Sequence, residues 1–137
     1  ITYGATVHAA EGLVAIWDLA TNEVVGTVPT AGAGLFIRGH HDSPYIWADA
    51  VFAEEPHHIT VFEKAPPFAV VGTISDGVRT LHPEFSKDGS IVYISDWDGG
   101  VVRVYDAETL ELITVIEGID NPTGIFNASR RSETLGH

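Results

Sequence analysis

Three stretches of the chain share one pattern: an apolar run closed by an aromatic residue and an acid, a short polar turn, then a second apolar run. They are LVAIWDLATNEVVGTV (13–28), HITVFEKAPPFAVVGTI (58–74) and VVRVYDAETLELITVI (101–116). Each predicts a β-hairpin, because Val, Ile, Thr and aromatic residues favour strands and the runs are too short for helices. The aromatic–acid pairs Trp17-Asp18, Phe62-Glu63 and Tyr105-Asp106 recur 45 and 43 residues apart. Periods near that length with short strands are those of β-propeller blades. Between the hairpins lie two further strand pairs, LFIRGH with YIWADAVF and TLHPEF with SIVYISDW. The second is joined by Ser86-Lys87-Asp88-Gly89, where Asp-Gly suits a tight turn.

The fold class expected is therefore all-β: a β-propeller fragment of about three four-stranded antiparallel blades from a larger ring. The units run over about 1–30, 31–75 and 76–118, with a closing inner strand within 119–137. The first unit offers three strands, over about 2–9, 13–18 and 23–28, and lacks an inner one. The last offers a single strand around 124–128, with two unpaired edges that natural sheets avoid. The remaining blades are thus the first expected partner, supplied by upstream residues or by another chain.

Composition narrows the chemistry. Nineteen Asp and Glu against seven Lys and Arg give a net charge of −12, which repels nucleic acid and anionic lipid. No nucleic acid is expected as a partner, and no apolar run approaches the ~20 residues of a membrane-spanning segment. The absence of Cys removes disulfides, thiolate metal sites, thiol nucleophiles and covalent c-type haem attachment within these residues. Phosphate-binding loops, nucleophile elbows and HExxH or EF-hand spacings do not occur. The sequon Asn127-Ala128-Ser129 falls on the expected closing strand, where a glycan would not fit.

Seven histidines remain. His57-His58 sits at a turn, and neighbours on a strand point to opposite faces, which argues against joint metal ligation. His8 reads as a half-buried strand residue, and His137 is terminal. His40 and His82 differ, because each marks an end of an inner strand, where blades converge on the central channel. Arg38 precedes His40 by two residues and Arg79 precedes His82 by three, in a chain with only five Arg. Guanidinium forks bind carboxylates, and imidazole ligates metal, donates protons or binds an oxyanion. An anionic ligand would suit such a set, whereas His82 bonded to backbone in an ordinary propeller turn is the structural alternative. Asp42 and Asp49 admit a metal site beside His40, but Asp49 ends a strand as Asp96 does, which points to a turn role.

The segments GAGLFIRGHHDSPYIWADAVF, RTLHPEFSKDGSIVYISDWDGGVVRVYDAETLELI and NPTGIFNASRR resemble the last blades of the haem d1 propeller family, over almost the whole chain. That family comprises the d1 domain of cytochrome cd1 nitrite reductase and relatives in haem d1 biosynthesis. The resemblance implies an eight-bladed ring whose channel holds haem d1 or its precursor, in the periplasm, in denitrification. By motif, His40 and His82 would be the distal histidines that donate protons on the macrocycle's face, and Arg38 and Arg79 would offset its carboxylates. The iron ligand is expected outside these residues. The tail GIFNASRRSETLGH looks more like the biosynthesis protein than the reductase, which makes biosynthesis the leading expectation. Nitrite reductase itself and, in another class, a non-catalytic scaffold that binds proteins stay open.

Overall fold

The computed structural model describes residues 1–125, and within them there are eleven strands and no helix. Strands β1 (Tyr3–Val7), β2 (Leu13–Asp18) and β3 (Val24–Pro29) form the first sheet. Strands β4 (Ile37–Gly39), β5 (Tyr45–Asp49), β6 (Ile59–Glu63) and β7 (Val70–Ile74) form the second. The third contains β8 (Thr80–Phe85), β9 (Ile91–Asp96), β10 (Val101–Asp106) and β11 (Leu112–Ile116). Every sheet is an antiparallel meander in chain order. Residues 119–125 carry no strand, and the expected closing strand around 124–128 extends beyond the described residues.

The repeated aromatic–acid pair now has a physical meaning. Trp17, Phe62 and Tyr105 each stand at a register shift between the two strands of their hairpin. The acid that follows organises the turn in the first and third blades. Asp18 Oδ1 accepts the Ala20 N–H at 2.7 Å, and Asp106 Oδ1 accepts those of Glu108 and Thr109 at 2.9 and 2.8 Å. Each turn then needs one left-handed residue: Asn22, Phe68 and Leu110 have φ of 60°, 60° and 66°. The same extra residue and bulge are thus built three times, and the polar cap twice, from different side chains.

Packing between blades follows the pleat, since successive residues of a strand face opposite sides. From β6, Ile59 and Val61 join the core shared with the third blade, beside Trp47, Phe85, Val92, Ile94 and Tyr105. Phe62 turns the other way and packs with Val14, Ile16, Val28, Ala48 and Phe68 of the first two blades. Each of these large side chains contributes about 1.5–3 kcal/mol by leaving water. The inner strands β4 and β8 are neighbours, and the end of β5 also meets β8.

Candidate functional site

The inner strands differ in a way that the motifs did not reveal. Strand β4 has only three residues, so His40 lies past its end. His82 stands inside β8, where Leu81 pairs with Ser95 but Glu84 pairs with Tyr93, leaving one extra residue on β8. Pro83 has no N–H to give the ladder, which accounts for a bulge at this point. His82 adopts φ of 56°, a left-handed conformation unusual for a residue with a side chain.

Two buried carboxylates fix the places where the inner strands begin. Asp49 ends β5, and its Oδ1 accepts the Leu35 N–H at 2.9 Å while Oδ2 accepts that of Phe36 at 3.3 Å. Asp96 ends β9 and accepts the N–H groups of Val78 and Arg79 in the same manner. The turn role expected for Asp49 is what its contacts show. One contact is additional: Asp49 Oδ2 also accepts the His82 N–H at 3.0 Å, across the blade boundary. Burial pushes the Asp49 carboxyl above its ordinary value, against the pull of the His82, Leu35, Phe36 and Val51 amides. Burial pushes Asp96 the same way. There the Arg103 guanidinium at 2.7 Å and the Arg79, Gly99 and Val78 amides prevail and leave the carboxyl lowered.

The His82 ring stacks on Phe36, with centroids 4.3 Å apart and planes at 26°. The returning chain passes close above it, since a Cβ on Gly124 would stand 2.5 Å from Nδ1. Asn121 Nδ2 holds that return segment by donating to the Trp97 carbonyl at 3.1 Å.

His40 sits in different surroundings. Its Nδ1 accepts the Asp42 N–H at 3.0 Å, so the proton is on Nε2, which donates to the Lys87 carbonyl at 2.8 Å. The ring lies against Phe85 and His41, with centroids 5.7 and 4.5 Å away. The Lys64 ammonium donates to the His40 and His41 carbonyls. The structure thus groups His82 with Phe36 and Asp49, and separately groups His40 with Phe85, Lys87 and Asp42. Ligand atoms of His40, His41 and Asp42 lie within 4.8 Å of one another, but a metal there would have to displace a hydrogen bond from His40.

The two arginines are not equivalent either. Arg38 is within β4, and its Nη2 lies 3.5 Å from Glu84 Oε2, a carboxylate only 2% exposed. Arg79 precedes β8; its Nε bonds Asp98 at 3.1 Å and its Nη1 donates to the Val51 carbonyl at 2.6 Å. Arg79 and the His82 amide are therefore both anchored on residues 49–51, at and just past the end of β5. Phe36, Glu84 and Asp49 as cross-blade partners had no signal in the spacing of motifs, because each acts on a residue of the other blade.

Elsewhere, strand alternation would put His57 and His58 on opposite faces. Their rings in fact touch, with centroids 4.0 Å apart, since both precede β6 and strand alternation does not apply in the turn. His58 Nδ1 is 2.8 Å from Ser75 Oγ. A groove of about 670 Å3 runs between the first two blades, lined mainly by apolar residues including Tyr3, Ile46, Phe62 and Phe68; none of the four candidate residues lines it.

Comparison with known proteins adds to this geometry. A dihydro-heme d1 dehydrogenase of Pseudomonas aeruginosa is 31% identical over 129 residues, covering 93% of this chain and 26% of that protein. A nitrite reductase of Stutzerimonas stutzeri is 35% identical over 127 residues, covering 77% of this chain and 22% of its own length. Protein NirF of the same organism is 27% identical, over 88% of this chain and 30% of that protein. The chain thus spans about a quarter of the length of these relatives. Among solved structures, dihydro-heme d1 dehydrogenase NirN in complex with DHE superimposes with a TM-score of 0.82 at 28% identity, over 89% of this chain and 26% of that one. The family profile described as the cytochrome D1 heme domain matches residues 4–131. The chain is part of a β-propeller and belongs to the cytochrome D1 heme domain family.

Proposed function

We propose that the chain is a haem d1- or precursor-binding part of a propeller that serves haem d1 biosynthesis, and that, with its family, it works in the periplasm. The observation that carries this reading is the family match over nearly the whole chain, joined by the close superposition on a d1 dehydrogenase structure. The residues present fit such a group in kind. His82 offers an imidazole backed by an aromatic ring, and Arg79, just before β8, offers a guanidinium beside the same end of β5; a planar macrocycle with carboxylates needs both.

When bound, the tetrapyrrole supplies the iron and the conjugated ring. The chain's own residues orient it and hold a proton beside it. His82 faces the macrocycle as proton donor or ligand, and Arg79 meets a carboxylate by exchange from Asp98, where it is about a third exposed. Direct contact of His40 and Arg38 with the macrocycle would require His40 to leave the Lys87 carbonyl and Arg38 to leave Glu84. The remaining blades enclose the ligand.

Nitrite reduction is the second reading, favoured by the 35% identity to a nitrite reductase. The test is to titrate the complete protein with haem d1 and with dihydro-haem d1 and follow absorbance. Saturable binding with conversion of dihydro-haem d1 in the presence of an added electron acceptor supports biosynthesis, and nitrite turnover by the loaded protein with an added electron donor supports the second reading. Absence of saturable binding overturns both and leaves a scaffold.

A further inference from the structure

We propose that Asp49 is the positioning residue for His82: its carboxylate holds the His82 backbone across the blade boundary and thereby sets where the imidazole points. The inference rests on the reading of His82 as a residue that faces the tetrapyrrole. It deepens that reading by giving the imidazole a support in the neighbouring blade.

Three observations carry it. First, His82 is in a left-handed conformation at φ 56°, which is unfavourable for a residue with a side chain and persists only where surroundings enforce it. Second, that conformation coincides with the extra residue of β8, at the register shift between Leu81 and Glu84. Third, the group that does bind the His82 N–H is Asp49 Oδ2 at 3.0 Å, 33 residues earlier and in another blade. Asp49 is itself 1% exposed and held by the Leu35 and Phe36 amides, so it cannot follow His82 if the bulge relaxes. Phe36, the ring stacked on His82, is tied to the same oxygen. A single carboxylate oxygen therefore accepts both the His82 N–H and the N–H of the residue whose ring backs its imidazole.

Asp96 provides the natural control. It performs the same corner in the third blade, accepting from Val78, Arg79, Gly99 and Arg103, and all four of these partners lie in its own blade. In an Asn at position 49, one of the two oxygens becomes an NH2 facing amide N–H groups, which loses at least one of these bonds.

The experiment uses the complete protein labelled at histidine, as Asp49→Asn, Asp96→Asn and His82→Ala variants. Expected is faster exchange of the His82 amide by about tenfold or more in Asp49→Asn, with less than about twofold change in Asp96→Asn. The absorption spectrum of bound haem d1 should move toward that of His82→Ala in Asp49→Asn only. Equal behaviour of the two Asn variants, both lowering stability and neither moving the His82 readouts, overturns the proposal. A tetrapyrrole spectrum that His82→Ala leaves unchanged, while Asp49→Asn still frees the amide, overturns instead the reading of His82 on which it rests. Should Asp49→Asn not fold, the wild-type amide decides: protection comparable to ladder amides supports the link, and exchange as fast as an exposed turn amide contradicts it.

Discussion

Arg38 Nη2 stands 3.5 Å from Glu84 Oε2, so an ion pair with a nearly inaccessible acid ties the inner strands of two neighbouring blades. Glu84 is further held by the Phe85 N–H at 3.0 Å to Oε1. Removing one partner of a buried pair leaves the other charge uncompensated, which costs about 3 kcal/mol or more, whereas removing both costs far less. Arg38→Gln should therefore lower the denaturant midpoint substantially, and Arg38→Gln with Glu84→Gln should recover much of it. Additive losses in the double variant would show that the pair is not coupled.

His40 is expected to act on the hairpin of the third blade. His40→Ala removes the bond to the Lys87 carbonyl and the acceptor for the Asp42 N–H, a loss of about 1–2 kcal/mol. Gly89 packs against this ring at φ 75°, and a Cβ there would overlap it. Gly89→Ala should cost about 1–3 kcal/mol. Because the clash vanishes with the imidazole, the double variant should lose less than the sum. Chemical denaturation of the four proteins checks this, and strict additivity would exclude the contact.

Much of the fold could be read from the chain because propeller blades repeat local chemistry. The hairpins at 13–28, 58–74 and 101–116 each carry their own aromatic residue, turn and bulge, so periodicity exposed them. The site was less legible. His40 and His82 look alike in sequence, each near an Arg at an inner-strand end. Yet a three-residue β4 leaves His40 outside the sheet, and Pro83 places His82 in a bulge. Arg38 and Arg79 part for a similar reason, one within a strand facing Glu84 and the other before a strand facing Asp98. Contacts between blades join residues some thirty to fifty positions apart, and no short motif encodes them.

Asp49 and Asp96 should respond to acid in opposite senses. Asp96 is lowered in the fold from the ordinary 3.8, so its contribution is full above that value and is lost as pH falls through its folded value. Asp49 is raised from 3.8, so its contribution is full below that value and is lost as pH rises through its folded value. Urea midpoints measured from about pH 2 to 7 should show Asp96→Asn flattening the acid-side loss of stability. Asp49→Asn should leave that acid-side loss in place. Identical pH profiles for the two variants would contradict the assigned directions.

Arg79 is held by Asp98 at 3.1 Å on the surface, an exchangeable pair. Asp98→Asn should free the guanidinium and tighten tetrapyrrole binding, whereas Arg79→Gln should weaken it. The gap between the two should narrow as salt rises, since exposed charges are screened. Calorimetric titration of the complete protein at low and high salt reads this directly. Equal affinities at both salts would remove Arg79 from the site.

Contact with the tetrapyrrole through His82 is the feature on which the proposed function turns. The most direct measurement is the absorption spectrum of haem d1 bound to the complete protein, compared between wild type and His82→Ala at saturation. A distal imidazole alters the electronic surroundings of the iron while burial of the macrocycle supplies most of the affinity. Direct contact through His82 should give shifted bands in the variant, with a Kd within about tenfold of wild type. Superimposable spectra at saturation would contradict it.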